Sequence, residues 1–410
     1  MIKICNVTQG REFVRFFQWI RCSTVTLKYT RKFAESGKVI KLFELNYDDK
    51  EIRAVEEVLR SRWISMGPKV EEFEARFAAM VGRRHAIAVN SCTAALHLGM
   101  LLSGVGPGDE VIVPSLTFVA TVNSILYTGG RPVFADITSE VDLTVSYEDI
   151  VKKTTDATKA IVVVHYAGFS CDMNRICDFA KARGIAVIED ACHGPGGIYL
   201  ERPLGSLGDV SCYSFYSNKN IATAEGGMLL ADKDEYAEKA RLLRSHGMTS
   251  NTFHRKDNSS SYDVVALGYN YRMDEIRAAL GLVQLSKLPA SIKKRNMLAK
   301  RYIELLRKSP FIVVPFTNYQ GLSPYYIFPL RITGFDRDEL AAKLLDAGIQ
   351  TSRHYPPVHK FAIYQSYGCQ LPLTEKIFGE LITLPLHDLM TERHVEYISE
   401  TIIEITSSVN

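Results

Sequence analysis

No pair of cysteines in this chain is spaced as CxxC, no apolar run is long enough to span a bilayer, neither sign of charge dominates, and no internal repeat or low-complexity tract appears. Each absence excludes something. The eight cysteines (Cys5, Cys22, Cys92, Cys171, Cys177, Cys192, Cys212, Cys369) are scattered, several in apolar runs, which reads as reduced, buried thiols in a cytoplasmic protein, with no metal site expected. The one apolar cluster near the start, residues 13–20, is broken by Arg15 and Gln18, so neither a membrane anchor nor a secretion signal is indicated. With 49 basic and 46 acidic residues, the charge balance gives no reason to expect nucleic acid or an anionic membrane as partner. The balance is uneven along the chain: residues 1–41 hold nine Lys/Arg against Glu12 and Glu35, net +7, leaving −4 for the rest of a chain that totals +3. This basic leader lacks clear periodicity and reads as a disordered arm or an upstream start-site extension; a solvated tail is the plainer alternative to an arm that binds an acidic partner.

At 410 residues and 46% hydrophobic, the chain exceeds one ordinary core, so a large domain and a smaller one are expected. Between residues 43 and 285, short β-branched runs alternate with helical patterns, the signature of βαβ units around a mostly parallel sheet. Strands are predicted at 86–90, 110–114, 132–136, 160–165, 185–190, 210–215 and 228–231, and helices at 93–102, 119–127 and 171–183. After residue 285 come a charged helix (289–308), a strand (325–332), a helix (337–347), a strand (349–355) and a closing helix from residue 391. The fold class is therefore α/β: a large domain, 42–288, whose first helix is free to pack on the small domain, and a smaller α+β domain, 289–410. The polar stretch 250–262 reads as a mobile surface loop.

One stretch carries most of the chemistry. Ser214 to Asn220 ends a β-rich run with a single lysine, Lys219, at a turn that runs on into Glu225, Gly226 and Gly227, a setting for a Schiff-base lysine. Upstream, the apolar run 185–188 ends in Glu189, Asp190, Ala191, Cys192 and His193, and Asp190 is the carboxylate a pyridinium nitrogen requires. Together they point to pyridoxal 5′-phosphate (PLP). The blander readings are a solvated turn lysine and a helix-capping aspartate. His193 is placed to bond the cofactor's phenolic oxygen or a neighbouring side chain, with a satisfied structural histidine as the alternative. The turn Asn90 to Ala95 sits between a strand and a helix, where backbone N–H groups and the Thr93 hydroxyl can meet a phosphate; Ser214 can donate a hydroxyl to the same group. Phe118 is placed to stack on the pyridine ring, although a core phenylalanine is the default.

Six linked segments, WISMGPKVEEF (63–73), GDEVIVPS (108–115), VHYAG (164–168), EDACH (189–193), KN with EGGM (219–220, 225–228) and GYNYRM (268–273), resemble the DegT/DnrJ/StrS family of sugar-nucleotide aminotransferases over residues 42–408. The resemblance implies a fold type I PLP-dependent transferase in which Lys219 carries the cofactor, Asp190 meets the ring nitrogen, and Cys92, Thr93 and Ser214 hold the phosphate. Phe118 matches the ring-stacking aromatic. It also implies a homodimer with shared active sites, Asn270 reaching the phosphate of the neighbouring chain. The implied reaction takes an amino group from glutamate and delivers it to a nucleotide-linked keto-sugar, commonly a 4-keto-6-deoxyhexose, in polysaccharide or glycan synthesis.

Departures bear on the acceptor. Tyr216 stands where many members carry histidine, and Ala224 replaces the glycine often found before Glu225. Arg353 and His354, in the segment that continues into Tyr355, Pro356 and Pro357, match a small-domain stretch near the active site and, with Tyr216, are assigned to substrate. Rival readings are an aminotransferase acting on a keto-cyclitol, a PLP-dependent sugar dehydratase, and a non-catalytic regulator on the same fold. Some relatives replace the lysine with histidine and deoxygenate sugars; Lys219 is present here, which favours transamination.

Overall fold

The computed structural model describes residues 39–249 and 262–407; the basic leader up to residue 38 and most of the polar loop at 250–262 lie outside them. Seven strands form the main sheet: β1 (His85–Val89), β2 (Glu110–Pro114), β3 (Arg131–Ala135), β4 (Thr158–Val164), β5 (Ala186–Asp190), β8 (Val210–Ser214) and β9 (Gly227–Ala231). A two-strand excursion, β6 (Ile198–Tyr199) and β7 (Arg202–Pro203), lies between β5 and β8. The order across the sheet is β1-β9-β8-β5-β4-β2-β3, parallel from β3 through β8, with β9 reversed.

Both faces of this sheet are buried, which is why its strands read as continuous apolar runs. Alternate residues serve opposite layers: Ile87, Val111, Val162, Ile188 and Leu229 join the core on one face, whereas Ile112, Ile161, Val163 and Val187 face the other. The first face is covered by α3 (Cys92–Leu102) and α4 (Val119–Leu126), and the opposite core includes α6 (Met173–Arg183). The predicted strands are therefore present, with ends displaced by one or two residues, the ordinary uncertainty of element boundaries.

The C-terminal region departs more from expectation. The helix predicted from residue 289 begins at Glu275 and runs unbroken to Leu306 as α8, so the boundary at 288/289 falls inside one helix that contains Pro289. A proline inside a helix forfeits one ladder bond and costs about 3 kcal/mol; contacts along α8 offset it. Its first turns pack on α2 (Pro68–Val81): Glu275 accepts the N–H groups of Lys69 and Val70, both at 2.9 Å, and Gly281 leaves room for the Phe73 ring, which a Cβ there would meet at 2.6 Å. Further along, Gln284 and Lys287 bond the buried Glu51 of α1 (Asp49–Ser61), at 2.8 Å each, and Arg301 pairs with Glu396 of the closing helix α11 (Glu392–Ser407).

Beyond α8, a second sheet of β10 (Ile312–Val313), β12 (Phe328–Ile332) and β13 (Leu381–Leu384) is antiparallel, with α9 (Arg337–Asp346) packed against α11. A third small sheet pairs β11 (Gly321–Leu322) with β6. The strand predicted at 349–355 is absent. Its backbone groups are spent singly, in isolated bridges from Ile349 to Ile40 and from Ser352 to Thr383, so no continuous ladder forms. The helix α10 (Pro372–Glu380) and strand β13 were not predicted. Among the described residues, no helix is long and apolar enough to cross a membrane.

Replacing Glu275 by Gln would remove one carboxylate acceptor from the start of α2 and turn an amide N–H₂ toward a backbone donor. Urea unfolding is expected to show a loss of about 1–3 kcal/mol, with an unchanged slope.

Candidate active site

The carboxyl ends of β1, β5 and β8 open into a cleft of about 520 Å³ whose walls bring together Cys92, Thr93, Asp190, Ser214 and Lys219, with Phe118, Tyr216 and His354 around them. Strand register creates this convergence. Asp190 pairs with Cys212, and Gly227 pairs with both Ser214 and Val89, so the ends of three strands are locked side by side.

Ser91 caps α3, its hydroxyl accepting the Ala94 N–H at 3.1 Å. The first-turn N–H groups of Cys92 and Thr93 have no partner within the helix and carry the positive end of its dipole. Gly227 passes directly beneath this turn: a Cβ there would lie 2.5–2.6 Å from Ser91 and Cys92 backbone atoms. Ser214 Oγ accepts the Tyr216 N–H at 3.3 Å, which leaves its own proton to donate.

Lys219 lies in the excursion from β8 to β9. Phe215 N donates to Gly226 O (3.0 Å), Thr223 N to Phe215 O (2.8 Å) and Lys219 N to Tyr216 O (2.9 Å), closing the turn on itself. Ala224 rounds its corner at φ +67°, a left-handed conformation that costs an L-residue about 1–2 kcal/mol. The lysine Nζ sits 4.0 Å from Cys192 Sγ and 3.9 Å from the centre of the Tyr326 ring. Among the described residues, no carboxylate forms an ion pair with it within 4.0 Å. Burial opposes a charge on this amine, but Cys192, Tyr326 and Asp190 outweigh it, and its pKa is pushed up to about 12. Burial, then the Asp190 charge, pushes the Cys92 and Cys192 thiols well up, so both stay protonated.

Asp190 is buried. Its Oδ2 accepts from Thr121 Oγ1 at 2.8 Å, itself bonded to Thr117 Oγ1 at 2.8 Å, and its Oδ1 accepts the Cys192 N–H at 3.2 Å. Its neighbour Glu189 points to the opposite face and accepts the N–H groups of Gly205, Leu207 and Gly208 and a bond from His165, holding the loop that leads into β8.

His193 is engaged by protein on both ring nitrogens: Nδ1 accepts the Ala167 N–H at 3.2 Å, so Nε2 carries the proton and donates to the Tyr355 hydroxyl at 3.0 Å. Burial drives its pKa well down and keeps it neutral. It therefore stands behind the cleft rather than in it, as the structural alternative describes. Arg353 does not line the cleft; it turns to Asp338 at 3.4 Å. Asn270 is exposed, lies outside the cleft of its own chain, and offers its backbone oxygen to Asn90 Nδ2 at 3.2 Å. Phe118 and Tyr216 stand at the cleft with exposures of 57% and 48%. His354 lines it too, with Nδ1 3.0 Å from Thr383 Oγ1 and its carbonyl accepting from the Tyr166 hydroxyl.

Thr121 and Tyr326 were missed by sequence reading. Thr121 carried a usable signal, a hydroxyl one turn after Phe118 and four residues after Thr117. Tyr326 carried none, because it precedes β12, in a different layer from the lysine.

A mostly parallel sheet covered on both faces, with a cleft at the carboxyl ends of its strands, is the architecture of the fold type I transferases. Comparison with known proteins narrows this. The model of the DegT/DnrJ/EryC1/StrS aminotransferase family matches residues 46–403. The spore coat polysaccharide biosynthesis protein SpsC of Bacillus subtilis is 40% identical over 371 residues, 88% of this chain and 95% of SpsC. Among solved structures, the aminotransferase TlmJ from Streptoalloteichus hindustanus superposes with a TM-score of 0.85 at 33% identity, over 91% of this chain and 100% of TlmJ. The candidate sugar aminotransferase Spr1654 from Streptococcus pneumoniae, in its PLP form, gives 0.84 at 31% identity, over 91% and 100%. The chain belongs to the DegT/DnrJ/EryC1/StrS family and is an aminotransferase, and the family's aminotransferases depend on PLP.

Burial, and then the Lys219 charge, lowers the His354 pKa from 6.5 to about 4. Between those values the unfolded chain binds a proton that the folded one excludes, so stability falls as pH drops through that window, by up to about 1.4 kcal/mol per pH unit. In the cofactor-free protein, His354→Gln is expected to reduce the shift in urea midpoint between pH 7 and pH 5.

Proposed function

We propose that the enzyme binds PLP in this cleft and transfers an amino group, from glutamate, to a nucleotide-linked keto-sugar, most simply a 4-keto-6-deoxyhexose, for polysaccharide or glycan synthesis in the cytoplasm. The observation that carries the reading is the pair formed by Lys219, half-buried with no carboxylate within 4.0 Å among the described residues, and Asp190, a buried carboxylate facing the same cleft. The residues fit the cofactor. Gly227 leaves a cradle that a Cβ would fill beneath the α3 N-terminus, where a phosphate is stabilised by first-turn N–H groups.

When bound, PLP supplies an aldehyde that captures amino groups and a pyridinium ring that withdraws electrons from the adjacent carbon. Asp190, fixed by Thr121 and the Cys192 N–H, would keep the ring nitrogen protonated. Cys92, Thr93 and Ser214 would hold the phosphate. Lys219, once free, would remove a proton from the amino donor's α-carbon and, in the return half-reaction, deliver one to the acceptor's carbon. Phe118 would cover the ring, and Tyr216 and His354 would meet the acceptor. The similarity to SpsC, a spore coat polysaccharide biosynthesis protein, supports the sugar acceptor. The exposure of Asn270 outside its own cleft supports a homodimer in which it reaches the neighbour's phosphate.

Borohydride reduction in the presence of PLP is expected to add the cofactor's mass to the peptide carrying Lys219. Glutamate with a panel of nucleotide-linked keto-sugars should then yield 2-oxoglutarate and an amino sugar. Turnover of a keto-cyclitol alone, or loss of a sugar hydroxyl without amination, would overturn the acceptor, and absence of any lysine adduct would overturn the whole reading. Lys219→Ala should lower turnover by about a thousandfold or more, and Asp190→Asn by about a hundredfold, as loss of a proton-transfer group and of a charge aimed at the reacting system.

A further inference from the structure

We infer that Tyr326 is a positioning residue whose ring is a fixed platform for the Nζ of Lys219 whenever that amine is free and protonated. This rests on the reading of Lys219 as the cofactor lysine and adds to it the place where the amine waits between proton transfers.

The amine lies 3.9 Å from the centre of the Tyr326 ring, within cation–π range, and the ring is only 5% exposed. His193 stacks on the same ring at 4.1 Å and 23°. Two groups this close to one ring centre occupy opposite faces, so Tyr326 is sandwiched and cannot swing away without breaking the stack. The stack is itself tied down, because His193 bonds the Ala167 N–H and the Tyr355 hydroxyl.

The backbone that carries Tyr326 is held from four directions. Its N–H donates to Ala167 O at 3.2 Å, Arg295 Nη1 donates to Tyr325 O at 3.2 Å, and Asn296 Nδ2 donates to Ser323 O at 2.9 Å. Asn220 Nδ2 donates to Pro324 O at 3.0 Å, which ties the lysine turn itself to the tyrosine segment. Platform and amine are therefore connected through backbone as well as through space.

Among the other groups that interact electrostatically with Nζ, only Cys192 Sγ comes as close, at 4.0 Å, and the Tyr326 side chain also hydrogen-bonds the amine. Cys92 and Cys192 are protonated thiols, His193 and His354 are neutral, and Asp190 is engaged by Thr121 and Cys192 without reaching the amine. The π-face of Tyr326 lies under the charge at 3.9 Å, with the Cys192 thiol at 4.0 Å beside it. A protonated amine fixed there is a proton donor held at one position, and removing the platform should lower its basicity and leave its position unfixed.

The test uses the cofactor-free enzyme, so it does not depend on turnover. Trace acetylation with acetic anhydride across pH, read by mass spectrometry of the Lys219 peptide, reports the amine's apparent pKa in wild type, Tyr326→Phe and Tyr326→Leu. Leu is expected to lower it by about one unit, tenfold in acidity, and Phe to keep most of the wild-type value. In the PLP-loaded enzyme, Leu should depress kcat while leaving KM for the amino donor little changed, and Phe should restore much of the loss. Equal titration of Leu and wild type would overturn the inference, as would a fall in Phe as large as in Leu, which would assign the effect to the hydroxyl. Should Leu fail to fold, Tyr326→Met carries the same comparison. A wild type that gives no borohydride-trapped adduct would instead sink the functional reading, and the acetylation data would still judge the platform.

Discussion

The pairing of β5 with β8, and of β9 with both β8 and β1, sets everything at this site. Side chains alternate across a sheet, so a slip of one residue in any pair would carry its polar end group to the wrong face. With Asp190 opposite Cys212, and Ser214 and Val89 both opposite Gly227, the carboxylate, the hydroxyl and the helix turn fall on one side within a single sheet edge. The same alternation separates Glu189 from Asp190: adjacent carboxylates, one spent on three loop N–H groups and His165, the other aimed at the cleft. Because the sheet is buried on both faces, packing on each side opposes such a slip, and the geometry needs no further device.

How much of this could be read from the sequence depended on where each signal lay. The strands of the main sheet were legible because burial on both faces demands apolar residues at every position, and because polar residues cluster where the strands end. Lys219 and Asp190 were legible because a lone lysine in a glycine-lined turn, and a carboxylate closing an apolar strand, are unusual for their surroundings. Thr93 and Ser214 followed from being next to strand ends, and Cys92 from the family resemblance alone. By contrast, Tyr326 acquires its role only through tertiary structure, since nothing in a pair of aromatics before a strand tells which layer they will face.

The errors have physical causes as well. Residues 349–355 have the composition of a strand, but their hydrogen bonds are divided between Ile40 and Thr383, and composition cannot say that a ladder lacks a continuous partner. Pro289 resembled a helix start, yet it sits in mid-helix, because α8 packs on α1 and α2 before it and on α11 after it. In this chain His193 bonds the Ala167 N–H and the Tyr355 hydroxyl, a neighbouring side chain, and Arg353 lies 3.4 Å from Asp338, so a cofactor or substrate contact for either stays a proposal.

That long helix has a mechanical meaning. At about 1.5 Å per residue, the 32 residues of α8 form a strut gripped near its start by α2, then by α1, and further along by α11. A strut of this kind bends most easily where a rung of its ladder is missing, and Pro289 removes one. The Asn220 to Pro324 bond ties the lysine turn to the tyrosine segment beside the cleft, so the two sides of the site meet at a direct clasp as well as through the strut.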